Sequence, residues 1–263
     1  MNSDQKAAIE AARAGAAIVR EGFISRPEVH LKGAVNPVTA IDHQAEEAVF
    51  EALTRLCPGE PVLGEESGGA GWDSDRVWIV DPLDGTVNFI HGIPQVAVSV
   101  AVCESGKPVA GAIVDVVRGE EFSAATGRGA LLHGEPIRVS EVARLDGSLI
   151  STGFPYDRQE RAQAYTDVVA AVLQQAQGVR RIGSAALDLA WVACGRFEGH
   201  WEFALGPWDV AAGVLLVTEA GGMVTDHRGE PFALDRSTLV ASNGQIHEGL
   251  RSIVEAHLPA HLG

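Results

Sequence analysis

Val77-Trp78-Ile79-Val80-Asp81-Pro82-Leu83-Asp84-Gly85-Thr86 carries the decisive information in this 263-residue chain. Its first four residues form an apolar run closed by Pro and Gly, which predicts a short buried β-strand. Asp81 ends that strand, so its carboxylate stands at a sheet edge on a rigid base. Pro82 stiffens the turn that follows, and Asp84 returns to the same place three residues later. Leu83, between them, offers a backbone carbonyl as another oxygen donor. Gly85 lets the chain approach a ligand closely, and the amides of Gly85 and Thr86 open a helical turn suited to a phosphate oxygen. Two carboxylates this close repel one another unless a cation lies between them.

Acidic pairs at turns are usually solvated surface, so the company this segment keeps matters. Glu65 and Glu66 follow another short apolar run in Gly64-Glu65-Glu66-Ser67; taken alone they are loop charges. Asp209, in Trp208-Asp209-Val210-Ala211-Ala212-Gly213, opens an apolar helix, where a carboxylate also serves the helix dipole. Asp42 on its own helix is equally ambiguous. As a set, these residues gather hard oxygen donors at element ends with no His or Cys beside them. That is ligand chemistry for Mg²⁺ rather than for zinc or iron. It points to a phosphate handled through a divalent ion.

Composition bounds this reading. Hydrophobic residues make up 46% of the chain, enough for a sizeable core in one large domain or two packed halves. With 35 Asp and Glu against 20 Lys and Arg, the net charge is −15. Such a field disfavours nucleic acid as a direct partner, yet it admits a small phosphate ester neutralised by bound metal. Cys57, Cys103 and Cys194 are odd in number and lack CxxC spacing, which predicts reduced thiols and a cytoplasmic setting. The Ala-rich start reads as an amphipathic helix over residues 3–22 instead of a leader. No run approaches the roughly 20 apolar residues of a membrane span, so a soluble protein with no membrane partner is expected.

Along the chain, helices and strands alternate. A second helix is expected from Thr39, its cap, to the Cys57-Pro58-Gly59 break. Strands are expected at 61–64, 77–80, 96–102, 108–117, 122–125 and 137–139, with a flexible connector at 68–71. The second half changes rhythm: strands at 148–151, 178–182, 197–203, 224–225 and 239–241, and helices at 161–177, 184–194, 207–220 and 245–257. Pro207 suits a first helical turn, and Gly221-Gly222 stops that helix. The class is mixed α/β, with a division near residue 145 into halves 1–145 and 146–263 of one compact catalytic unit.

Other residue types read as packing. The nine histidines show no HxH pairing, and the one HxxxH spacing, His257 to His261, is broken by Pro259, which argues against a histidine-bound metal. Trp72, Trp78, Trp191, Trp201 and Trp208 read as core or interface residues rather than a base-stacking platform. Gly127-Arg128-Gly129 lacks the strand-to-helix context of a nucleotide loop and reads as a hairpin turn. Arg180 and Arg181 face either phosphate or a partner subunit, and the sequence does not choose.

The segments Gly64–Ser67, Asp81-Pro82-Leu83-Asp84-Gly85-Thr86-Val87-Asn88-Phe89 and Trp208–Gly213, in that order, resemble the inositol monophosphatase family of Mg²⁺-dependent phosphatases. Supporting stretches are Asn36–Asp42, Gly127–Ala130, Arg181–Ala186 and Thr218–Gly222. The resemblance implies a layered αβαβα sandwich of the inositol monophosphatase and fructose-1,6-bisphosphatase type, with the site between the halves, and a homodimer. It implies two to three Mg²⁺ ions. One is held by Glu65, Asp81 and the Leu83 carbonyl, and activates water. A second, held by Asp81, Asp84 and Asp209, stabilises the departing alkoxide, and a weaker third lies near Glu65. Thr86, supported by Asp42, orients or deprotonates the water, and the Gly85 and Thr86 amides meet the phosphate. Asp84, Glu202, Asp209 and the Gly183-Ser184-Ala185 turn contact the alcohol. The activity implied is hydrolysis of myo-inositol monophosphate, with lithium inhibition. Histidinol phosphate, fructose 1,6-bisphosphate and 3′-phosphoadenosine 5′-phosphate are the competing substrates. A regulatory partner of the transcription or RNA-processing machinery is the alternative of another class. Val87 and Asn36-Pro37 depart from the commonest pattern without removing a ligand; Glu202 favours inositol.

Overall fold

The computed structural model describes residues 1–25, 29–31, 37–69, 74–259 and 262. Asn36, Trp72 and residues 70–71 of the expected connector lie outside the described residues. The chain begins with α1 (Ser3–Ser25), β1 (Val29–Leu31), β2 (Pro37–Thr39), α2 (Ala40–Leu56), β3 (Val62–Gly64), β4 (Arg76–Asp84) and the single turn α3 (Thr86–His91). A meander follows: β5 (Ala97–Glu104), β6 (Lys107–Asp115), β7 (Glu121–Ala125), β8 (Ala130–Leu132) and β9 (Glu135–Ile137). The remainder is β10 (Leu149–Thr152), α4 (Arg158–Leu173), β11 (Gly178–Arg180), α5 (Ala185–Ala193), β12 (Gly199–Phe203), α6 (Pro207–Glu219), β13 (Met223–Thr225), β14 (Thr238–Ser242) and α7 (His247–Ala256).

Strand alternation builds the layers. Along β4, Val77 and Ile79 enter one core while Trp78 and Val80 enter another. In β5, Ala97 and Ala101 oppose Val98, Val100 and Val102 in the same way, the period-2 signature of a sheet covered on both faces. That sheet runs β3-β4-β5-β6-β7-β8-β9, all antiparallel except β3 with β4. Helices α1 and α2 cover one face; α5 and α6 cover the other. The second sheet, β11-β10-β12-β14-β13, receives α5 on one face and α4 and α7 on its outer face. The order of layers is therefore αβαβα, as the resemblance implied.

Local differences have local causes. The strand expected at 137–139 sits two residues earlier, because His133 and Gly134 both take positive φ and close the two-residue turn between β8 and β9. The helix expected at 161–177 begins at Arg158, kinks at Arg161 and ends at Leu173. Residues 174–177 turn back instead, with the Gln177 N–H donating to the Ser148 carbonyl at 3.0 Å. Trp78 and Trp201 are fully buried, while Trp191 packs beneath the guanidinium groups of Arg118 and Arg196.

Candidate active site

Asp81 shares its strand face with Val77 and Ile79, the side toward α5 and α6. The pairing of β4 with β5 then shifts between Asp81 and Asp84, a bulge-like irregularity that re-aims the chain. Leu83 is buried among the α1 and α2 core as a result, and its N–H donates to Asp81 Oδ1 at 3.0 Å. Gly85 has φ +94°, and a Cβ there would meet the Gln95 carbonyl oxygen at 2.7 Å, so glycine is required at this turn. Asn88 locks the turn to the other half, donating through Nδ2 to the carbonyls of Gln95 at 2.9 Å and Ile182 at 2.8 Å.

One pocket gathers the expected residues. Glu65, Asp81, Leu83, Asp84, Gly85 and Thr86 line it from the large sheet. Gly183, Ser184, Ala185, Glu202 and Asp209 line it from the other half. Asp42 lies behind Thr86. As third residue of α2, it accepts the Thr39 N–H at 2.8 Å and the Thr39 hydroxyl at 2.6 Å, closing a capping box. Its other oxygen lies 3.2 Å from Thr86 Oγ1, which also approaches the Leu83 carbonyl at 3.1 Å. Both neighbours are acceptors, so the single Thr86 hydroxyl proton is directed to Asp42 or Leu83 and the lone pairs are kept for the pocket.

The carboxylates are brought together from distant elements. One oxygen each of Asp81, Asp84 and Asp209 lies within 4.8 Å of the others. Two full charges at that separation repel by roughly 3–4 kcal/mol at an effective dielectric constant of about 20. Burial first, then the charges of Glu65, Asp84 and Asp209, push the Asp81 carboxyl well above its ordinary range. Burial and the charges of Glu65 and Asp84 do the same to Asp209, against the Gly206 N–H, which donates to it at 2.6 Å. Burial raises Asp84 to about 6, even though the Ser184 hydroxyl at 2.5 Å and the Ala186 N–H at 2.7 Å both donate to it. Donors at the start of α5 thus hold a carboxylate from the opposite sheet. Groups this reluctant to ionise, all offering hard oxygens, fit a divalent cation and specifically Mg²⁺.

Several participants escaped the sequence reading. Glu46 receives the N–H groups of Glu66 and Ser67 at 3.0 and 3.1 Å, anchoring the loop that presents Glu65. The available signal was a charge on the buried face of α2 among Ala45, Val49 and Leu53. Tyr156, Arg158 and Arg181 also border the pocket, which settles Arg181 on the pocket side; Arg180 points away, its guanidinium exposed. Gly127-Arg128-Gly129 does form the turn from β7 to β8, and its three amides grip the Glu219 carboxylate at 2.8, 3.0 and 2.8 Å. Asp188, His200 and Glu202 meet as well. Spacing between histidines gave no sign of that cluster, because its other members are carboxylates; the legible cue was His200 and Glu202 two apart on one strand.

A five-layered sandwich in which a middle helix brings Asp209 to the two carboxylates of strand β4 is the arrangement of a metal-dependent phosphatase. The family model described as the inositol monophosphatase family matches residues 1–258, and the chain belongs to that family. It is similar to the Nus factor SuhB of Pseudomonas aeruginosa, 44% identical over 239 residues, which cover 89% of this chain and 88% of the relative. It is also similar to an inositol-1-monophosphatase of Synechocystis sp., 44% identical over 220 residues, 83% of this chain and 77% of that one. The solved structure of an inositol monophosphatase from Anabaena (Nostoc) sp. superposes with a TM-score of 0.88 at 39% identity, covering 98% and 97% of the two chains. The protein is accordingly a phosphatase of a family that acts on small phosphorylated substrates and is in general Mg²⁺-dependent. Among the described residues no helix is long and apolar enough to cross a membrane.

Proposed function

We propose that this phosphatase hydrolyses myo-inositol monophosphate to inositol and phosphate. The observation that carries the reading is convergence. Asp81, Asp84 and Asp209 approach within 4.8 Å beside Glu65, and Glu202 lines the same pocket. Glu65, Asp81, Asp84, Asp209 and the Leu83 carbonyl would hold two to three Mg²⁺ ions. When bound, such ions neutralise the carboxylates, acidify a water and balance charge on the departing alkoxide. The Thr86 hydroxyl, its proton committed to Asp42 or Leu83, accepts from the attacking water and orients it. The Gly85 and Thr86 amides receive phosphate oxygens, while Glu202 and Asp84 accept hydrogen bonds from ring hydroxyls beside the Gly183-Ser184-Ala185 turn. Halves 1–145 and 146–263 then act as one catalytic unit, in a cytoplasmic homodimer.

A phosphate-release panel with Mg²⁺ tests the reading, using inositol 1-phosphate, histidinol phosphate, fructose 1,6-bisphosphate and 3′-phosphoadenosine 5′-phosphate. Inositol 1-phosphate is expected to be the best substrate. Far faster turnover of histidinol phosphate overturns the substrate, and no release from any ester overturns the activity.

The name of the Pseudomonas relative, a Nus factor, favours a second reading as a regulatory partner of the transcription machinery. Recovery of RNA polymerase with the tagged protein, undiminished by Asp84→Asn, supports it; no recovery removes it.

A further inference from the structure

Three polar side chains meet behind the substrate pocket, and two of them carry a buried atom with no hydrogen-bond partner. Asp188 comes from α5 and His200 and Glu202 from β12, where two-residue spacing puts both on the face opposite Trp201 and Phe203. One donor atom of each lies within 4.8 Å of the others. Asp188 and Glu202 border the pocket, and His200 is wholly buried. Asp188 Oδ1 and His200 Nε2 are both buried without a hydrogen-bond partner. A buried polar atom left unmet keeps the full cost of its desolvation. Of the cations, Arg181 bears on Asp188 through its charge and borders the same pocket.

The arrangement has the marks of a ligand set. Ser151 Oγ lies 3.0 Å from His200 Nδ1, and its hydroxyl favours the ionised form of Asp188 against the burial that raises that carboxyl. In the tautomer whose Nδ1–H donates to Ser151, Nε2 is the free coordinating nitrogen, the usual role of an outer hydrogen bond in a metal site. His200 Nε2 stands 3.4 Å from Glu202 Oε2. Ligands bonded at about 2.0–2.2 Å to one ion sit at about that separation. Two carboxylates and a neutral imidazole also balance a dication. Gly153 is part of the cradle, because a Cβ there would come within 1.9 Å of Glu202 Oε1.

We propose that Asp188, His200 and Glu202 form a separate site for a first-row transition dication, Mn²⁺, Co²⁺ or Zn²⁺, in the wall of the substrate pocket. It shares no residue with the Asp81–Asp84–Asp209 cluster. Its imidazole distinguishes it chemically, since nitrogen suits these ions and Mg²⁺ prefers oxygen. The bound ion ties Glu202 to Asp188 and thereby stiffens the wall that faces the alcohol.

Co²⁺ is the probe, added to the full-length protein in a large excess of Mg²⁺. One Co²⁺ per chain should remain bound, with visible ligand-field absorption and a histidine in its X-ray absorption spectrum. His200→Gln or Asp188→Asn should weaken it by more than about 100-fold, and Ser151→Ala by about 10–100-fold. Asp209→Asn should leave it in place. Near-ultraviolet circular dichroism identifies variants that have kept their packing; Ser151→Ala supplies the test if the ligand variants have not. Co²⁺ fully displaced by Mg²⁺, or retained equally by wild type and folded His200→Gln, overturns the proposal. An imidazolium signal for His200 that persists in the presence of Co²⁺ does so too.

Discussion

Gly153→Ala probes how substrate hydroxyls are recognised, without replacing a carboxylate. An ideal Cβ at this position falls 1.9, 2.2 and 2.3 Å from the Oε1, Cδ and Oε2 atoms of Glu202. Ordinary contact begins near 3.4 Å, so the Glu202 carboxylate must retreat by about 1.5 Å. Retreat is costly on both sides, because Glu202 is buried and overpacking of this kind costs about 1–3 kcal/mol. A hydrogen bond from a ring hydroxyl to a charged carboxylate contributes about 1.5–3 kcal/mol, and a 1.5 Å displacement removes it. For inositol 1-phosphate, kcat/KM should fall by about 10–150-fold. For 4-nitrophenyl phosphate, which has no ring hydroxyls, it should fall by no more than about threefold. In a Glu202→Ala background the same substitution should cost almost nothing further, since the clash is gone. Equal losses on both esters would refute the role given to Glu202, and an unchanged kcat/KM for inositol 1-phosphate would refute the displacement.

Asp84→Asn should lower turnover by at least about 10³-fold, or about 4 kcal/mol, with the fold retained because the Asn carbonyl still accepts from Ala186. Mg²⁺ at 100 times its Kd should stabilise wild type by about 2.7 kcal/mol and this variant hardly at all; equal thermal shifts would contradict the ligand assignment. Glu219→Ala strips the carboxylate from three amides and should cost about 1–2 kcal/mol, seen as a lower Tm. Burial holds the His247 pKa below its ordinary 6.5, between the Thr225 and Ser242 hydroxyls at 2.9 Å each. The unfolded chain therefore takes up this proton first as pH falls, so the stability His247 contributes is complete above 6.5 and declines below it. An NMR titration placing its midpoint at or above 6.5 would contradict this.

How much of this was visible in the linear chain depends on the distance over which each feature is determined. The strand through Val77–Val80 was legible because an apolar run is local, but Asp81 does not end it: past a register shift β4 pairs again at Asp84. Ser184 and Pro207 marked the starts of α5 and α6 for the same reason. Asp42 stayed ambiguous because both readings of it are true: one oxygen caps α2 and the other meets Thr86. The β8–β9 register depended on His133 adopting positive φ, which no side-chain pattern announces. His200 and Asp188 were hidden more deeply, since a strand and a helix far apart in sequence must pack before their polar atoms meet. The layer order came from resemblance, not from periodicity. Alternation along β4 and β5 reveals two covered faces but not which helices cover them.

The bond between Ser184 and Asp84 joins residues 100 positions apart. Closing a loop of that length costs about 4 kcal/mol of chain entropy, and neither sheet alone recovers it. The large sheet can assemble from neighbouring hairpins while Asp84 still faces water. Only the arrival of α5 and α6 gives that carboxylate its donors and brings Asp209 beside Asp81. Catalytic competence thus requires α5 and α6 to be docked on the large sheet. During refolding, circular dichroism should recover before phosphate release does, and the lag between them times the meeting of the two halves.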